Sequence, residues 1–158
     1  MLFSRKTRYA LMACTVLAQE YGKSPVSVST IAESEGIPKR FLESILSKLR
    51  GRGVVKSVRG KDGGYCLTRH PKQIRIDDII LECENDIYME CLHPSGNLHC
   101  EFNKNLHECK LRQNFSKVYG QLFAVLHNTT LQSLMSSASF TMLVEEGRKT
   151  TDDSKSVS

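Results

Sequence analysis

The run Arg59-Gly60-Lys61-Asp62-Gly63-Gly64 is the feature that most constrains what this chain can become. Gly and Asp at this density favour a turn over the interior of a helix or strand. The flanks are β-prone: Val54-Val55-Lys56-Ser57-Val58 before the run, Tyr65-Cys66-Leu67-Thr68 after it. The segment therefore reads as a β-hairpin with a basic tip. Two short helices are expected just upstream. Ser29 or Thr30 caps a brief helix from Ile31 to Glu35, ended by Gly36, and Ile37-Pro38 opens the next with Pro in its first turn. On that second helix Phe41, Leu42, Ile45, Leu46 and Leu49 form an apolar stripe, while Lys39, Arg40, Glu43, Lys48 and Arg50 occupy other faces. Two helices around a Gly-containing turn make a helix-turn-helix, and the hairpin makes it winged.

A longer amphipathic helix precedes this unit, roughly Ser4 to Tyr21, with Ser4 as N-cap and Tyr9, Met12, Ala13, Val16, Leu17 and Tyr21 at helical spacing. A short β-prone stretch, Val26 to Val28, separates the two. The cations at Arg5, Lys6 and Arg8, with Leu11-Met12-Ala13-Cys14, are loosely similar to a lipoprotein signal. A signal peptide needs an uninterrupted apolar centre, and Gln19-Glu20 with helical periodicity argues instead for a folded helix in a cytoplasmic protein. No segment approaches the ~20 apolar residues of a membrane span.

Downstream, Ile76 to Leu81 with Cys83 suggests one short helix, and residues 91–109 read as loop. A long helix follows, with Leu111, Phe115, Val118, Leu122 and Val125/Leu126 at coiled-coil spacing. Asn128-Thr129-Thr130 caps a last helix starting near Leu131. The fold class expected is mainly α with a small β-hairpin: a winged helix-turn-helix domain plus a long dimerisation helix. Residues 1–75 form the DNA-binding domain, 76–110 a linker helix and cysteine-bearing sensor loop, 111–146 the dimerisation and terminal helices. Residues 147–158 form a disordered tail.

Charge divides along the same lines. Residues 1–75 carry fifteen Lys and Arg against five Asp and Glu, a net of +10, whereas residues 76–158 have a net of −5. A basic head joined to an acidic segment suits phosphate binding by one part and assembly or control by the other. Three groups have direct roles on duplex DNA. Lys39, Arg40 and Glu43 lie on the early turns of the helix that would enter the major groove, where Arg and Lys donate to guanine and Glu accepts from cytosine. Arg59 and Lys61 sit at the hairpin tip, placed for a narrow minor groove. Arg5, Lys6 and Arg8 crowd the start of the first helix, placed for phosphates. A basic run is more often a solvated surface, but three recurring on one winged helix favour the DNA reading.

With these residues in view, the chain resembles the Rrf2 family of bacterial transcription regulators over residues 1–135. The resemblance rests on Lys6-Thr7-Arg8-Tyr9-Ala10-Leu11, Ile31-Ala32-Glu33, Phe41-Leu42-Glu43 through Leu46 to Leu49, and Thr129-Thr130-Leu131. Most specific is Val58-Arg59-Gly60-Lys61-Asp62-Gly63-Gly64-Tyr65, similar to the family's wing. The resemblance implies a homodimer paired through residues 111–127 on a roughly two-fold operator, with Glu43 reading bases and Arg59 in the minor groove.

Of six cysteines, Cys14, Cys66 and Cys83 lie singly on apolar faces and read as buried thiols. Cys91, Cys100 and Cys109 are separated by eight residues each, and thiolates in a long loop suit an iron–sulfur cluster, or zinc with a histidine. Cluster-binding branches of the family carry three cysteines in this loop, so the resemblance implies a cluster at Cys91, Cys100 and Cys109. Two departures stand out. The gaps are wider than is usual, and the two positions where other members supply a fourth ligand are Arg112 and Arg8 here. His107 is the first candidate for that ligand, ahead of His99, His93 and Glu108. A metal-free thiol switch remains open, as does a cluster-free regulator controlled by a partner or small molecule. An enzyme is not expected, because cysteine and histidine alone do not make a catalytic site.

Overall fold

The computed structural model describes residues 3–84, 92 and 108–136. Six helices and one hairpin are present among them: α1 (Arg5–Gln19), α2 (Val28–Glu35), α3 (Lys39–Gly51), β1 (Val55–Val58), β2 (Gly64–Leu67), α4 (Ile76–Cys83), α5 (Lys110–Asn128) and α6 (Leu131–Met135). A 3-10 turn at Pro71–Gln73 precedes α4. The mainly helical winged helix-turn-helix expected from sequence is the observed fold.

Local chemistry moves several boundaries. Ser4 caps α1, its hydroxyl accepting from Thr7 N–H at 3.3 Å. The cap of α2 is Ser27, accepting from Thr30 N–H at 3.0 Å, and not Ser29 or Thr30. Val28 thereby joins the helix, and of the β-prone stretch only Val26 pairs, in an isolated antiparallel bridge to Tyr65. Gly36 closes α2 in the left-handed conformation, φ 63°. Pro38 is the N-cap of α3 rather than a first-turn residue, its carbonyl accepting from Phe41 and Leu42. Thr130 caps α6, whose described extent ends at Met135. The expected terminal helix beyond that point and the tail at 147–158 lie outside the described residues.

The core sits between α1, α3, α4 and the hairpin. Leu17, Ile31, Leu42, Ile45, Leu46, Leu49, Val54, Val55, Ile74, Ile79, Ile80 and Leu131 are almost fully buried. Burial of each such side chain contributes on the order of 1.5–3 kcal/mol. On α1 the inward face is Ala10, Ala13, Cys14 and Leu17; Tyr9, Met12 and Val16 lie at its margin, and Tyr21 is exposed beyond the helix. Small residues there let α1 approach α3 and α4 closely. Phe41, expected in the α3 stripe, is 41% exposed and packs edge-on against Tyr9, ring centroids 5.8 Å apart. Cys14 is not isolated either, since its thiol feels that of Cys83 across the α1–α4 contact. Burial, then this neighbour, pushes Cys14 up to about 12. Burial likewise pushes Cys83 to about 11.

The hairpin is antiparallel, with Val55 opposite Leu67 and Val58 opposite Gly64. It docks on the head through backbone. Val26 N–H donates to Tyr65 carbonyl at 2.9 Å, and Tyr65 N–H returns the bond at 2.8 Å. Gly64 permits this approach: a Cβ there would lie 2.3 Å from the Val26 carbonyl oxygen. At the tip, Gly60 adopts φ 124°, which a side chain would oppose.

The long helix α5 is tied down at its far end. Ile76 N–H donates to Thr129 carbonyl at 2.9 Å and Leu131 N–H to Ile74 carbonyl at 2.8 Å. Arg75 Nη1 lies 2.6 Å from His127 Nε2. Along its length α5 has no buried residue. Leu111, Phe115, Val118 and Val125 are 56%, 40%, 57% and 57% exposed, while Leu122 and Leu126 are half-buried.

Candidate nucleic-acid interface and sensor loop

The site is built from α3 outward. Its buried stripe, Leu42, Ile45, Leu46 and Leu49, fixes which side faces the core, and helical periodicity turns Arg40, Glu43, Ser44 and Ser47 to solvent. Lys39, Arg40 and Glu43 are all exposed on the first turns of that helix. Such a face presents a cation and a carboxylate able to distinguish base edges, on a frame held by an apolar core.

Of the first-helix cations, Lys6 meets α3 from the side. Arg5 and Arg8 are exposed, while Lys6 is half-buried beside Lys48 of α3. The Lys48 side chain, within hydrogen-bonding reach, and then burial make Lys6 hold its proton less firmly than an ordinary lysine. Two ammonium groups kept this close repel each other, and an anion between them would relieve the cost. By sequence Lys48 is one of several polar positions away from the apolar stripe of α3. The α1–α3 packing that brings it to Lys6 joins residues distant in the chain, and no local pattern announces it.

Arg59 and Lys61 are exposed at the wing. Lys61, Asp62 and Gly63 also border an open groove of about 670 Å³ against Glu20 of α1 and Ser27, Thr30 and Glu35 of α2.

Of the three expected cysteine ligands, only Cys109 is among the described residues. It forms the N-cap position of α5, half-buried and unpaired with another cysteine. Cys91, Cys100 and His107, with His93 and His99, lie outside the described residues, and Glu108 is exposed. Among the described residues no three His, Cys, Asp or Glu side chains gather as a metal site. Cys109 alone does not make a cluster site.

A recognition helix with exposed Arg40 and Glu43, a basic wing and flanking lysines on one rigid head define a winged-helix DNA-binding protein. Comparison with known proteins narrows this. Residues 3–137 match the Rrf2 family, described as an iron-dependent transcriptional regulator. The regulator CymR of Bacillus subtilis is 35% identical over 136 residues, covering 86% of this chain and 91% of that one. The regulator IscR of Sodalis glossinidius is 31% identical over 137 residues, covering 87% and 80%. Among solved structures, T. potens IscR superposes with a TM-score of 0.66 at 35% identity, covering 85% of this chain and 86% of that one. CymR of B. subtilis, the global cysteine regulator, superposes with a TM-score of 0.69 at 33% identity, covering 84% and 94%. The chain belongs to the Rrf2 family of transcriptional regulators. Its relatives are named as regulators and not as enzymes. Among the described residues no helix is long and apolar enough to cross a membrane.

Proposed function

We propose that this regulator works as a homodimer paired through α5 and senses redox, nitric-oxide or iron–sulfur status through an iron–sulfur cluster held by Cys91, Cys100 and Cys109. The observation that supports pairing is the uncovered face of α5, where Leu111, Phe115, Val118 and Val125 stand exposed at coiled-coil spacing. A partner's equivalent helix would cover them. On DNA, Arg40, Glu43 and Lys39 take base edges, Arg59 and Lys61 the minor groove, and Arg5, Lys6 and Arg8 phosphates, with Lys48 added to the last group. His107 is the candidate fourth ligand. Likeness to IscR supports a cluster, as does thiolate chemistry.

Control follows from how the loop is attached. It leaves the head at the end of α4 and returns at the start of α5, so ordering it sets how α5 carries one head relative to the other. An order–disorder change there would move the two recognition helices relative to the half-sites. The test is an absorption spectrum with iron and sulfide analysis on protein kept free of oxygen. It is paired with duplex affinity of the wild type and a Cys91→Ser, Cys100→Ser, Cys109→Ser variant. Visible absorbance and a difference in affinity are expected, and equal affinity would remove the sensing claim.

A second reading is a cluster-free regulator of the same family, governed by a partner, a small molecule or thiol oxidation. The likeness to CymR, a cysteine regulator by name, favours it. Colourless, iron-free protein with unchanged DNA affinity would select it.

A further inference from the structure

We propose that Glu84 is a positioning residue for DNA binding: its carboxylate, brought from the end of α4, sets the first turn of α1 and thereby the phosphate contacts of Arg5, Lys6 and Arg8. The inference rests on the reading of those three cations as DNA ligands.

The first turn of α1 is badly provided for by its own sequence. The positive end of a helix dipole favours acidic side chains, yet this turn holds none and carries Arg5, Lys6 and Arg8. A capping box would place Glu or Gln at the third helical position to accept the N-cap N–H. That position is Thr7, which has no carboxylate. Glu84 fills the gap from 80 residues away, accepting Ser4 N–H at 2.7 Å. The same oxygen accepts the hydroxyl of Thr7, a polar side chain that is fully buried. The bond from Thr7 N–H to the Ser4 hydroxyl is local, but the Ser4 N–H and the Thr7 hydroxyl both depend on one distant side chain.

Neighbouring charges complete the picture. Lys6 and Glu84 attract each other between α1 and α4, Glu82 and Cys83 add to the field at Lys6, and Lys48 adjoins it from α3. Glu82 looks elsewhere, 3.9 Å from Arg52 at the end of α3.

The experiment turns on a sign. Removing a carboxylate beside a DNA-binding surface normally tightens binding by reducing repulsion. If Glu84 positions α1, Glu84→Ala weakens binding to a mixed-sequence duplex by about five- to ten-fold, the scale of one lost hydrogen bond. The salt dependence becomes shallower by about one phosphate contact. Thr7→Val, which removes the hydroxyl and keeps the shape, gives a similar loss, and the double variant is little worse than either. Glu84→Gln, which retains an acceptor oxygen, recovers part of the affinity. Glu82→Ala binds as tightly as the wild type or tighter.

Affinities are read well below each variant's melting temperature, with folding checked by circular dichroism. If Glu84→Ala does not fold, Thr7→Val and Glu84→Gln carry the comparison. Unchanged or tighter binding by Glu84→Ala with an unchanged salt slope overturns the proposal, as does full additivity with Thr7→Val. Wild-type protein that fails to bind duplex DNA overturns the DNA reading together with it; wild type that binds while the variants match it overturns this proposal alone.

Discussion

His127 Nδ1 lies 2.8 Å from Asp77 Oδ2, joining the last turn of α5 to the first turn of α4. Arg75 Nη1 lies 2.6 Å from Nε2 and 3.1 Å from Nδ1 of the same ring, so the imidazole is held between a guanidinium and a carboxylate. The far end of the long helix is in this way fastened to the DNA-binding head. His127→Ala is expected to cost about 0.5–1 kcal/mol, since His127 is half-exposed and solvent screens the contact. Faster amide exchange at Thr129 and Leu131, with the head otherwise protected, is the check.

Gly64→Ala should loosen the wing. The added methyl meets the Val26 carbonyl oxygen at 2.3 Å, so the two backbone bonds between Val26 and Tyr65 must open. Their loss corresponds to about 1–3 kcal/mol. Urea unfolding should show that drop, and the amides of Val26 and Tyr65 should lose protection first.

The thiols of Cys14 and Cys83 give the protein an alkaline weakness. Their ordinary value is 9.0, and in the folded head they are raised to about 12 and about 11. A folded value above the unfolded one means the native state keeps a proton that the unfolded chain surrenders. Their contribution is therefore complete below about pH 9 and is lost as pH rises towards those folded values. Stability measured from pH 8 to 11 should fall, and Cys14→Ala should fall less steeply. Alkylation at neutral pH should modify the half-exposed Cys66 and Cys109 before the buried pair.

Lys6→Ala and Lys48→Ala should each weaken duplex binding almost uniformly across sequences and reduce the salt slope by about 1. Reversing Arg40 and Arg59 to Glu together should abolish specific binding. Fluorescence anisotropy over a salt series distinguishes these effects, and an unchanged slope in all of them would argue against the interface.

Val118→Lys places a charge on the exposed seam of α5, where Val118 is 57% exposed and does not support the core. The head should fold normally while light scattering reports a monomer. A dimer that survives the substitution would place the pairing surface elsewhere.

The winged helix was legible because its signals are local. Gly60 and Gly63-Gly64 mark a turn, and Leu42, Ile45, Leu46 and Leu49 mark one face of a helix, whatever the rest of the chain does. Boundaries depend on competing neighbours: Ser27, Ser29 and Thr30 can each cap a helix, and Ser27 takes the cap next to the Val26–Tyr65 bridge. Phe41 reads as core by hydrophobicity, yet its place on α3 leaves it at the margin against Tyr9. Lys48 beside Lys6, Cys14 against Cys83 and Glu84 at Ser4 were illegible for one reason. Each joins segments far apart in the chain, and no periodicity encodes which side chains meet when two helices pack.

The fastening of α5 at Thr129, Leu131 and His127 makes its last turn part of the DNA-binding head. Whatever grips α5 at that end grips the head as well, and the two can separate only by breaking those bonds.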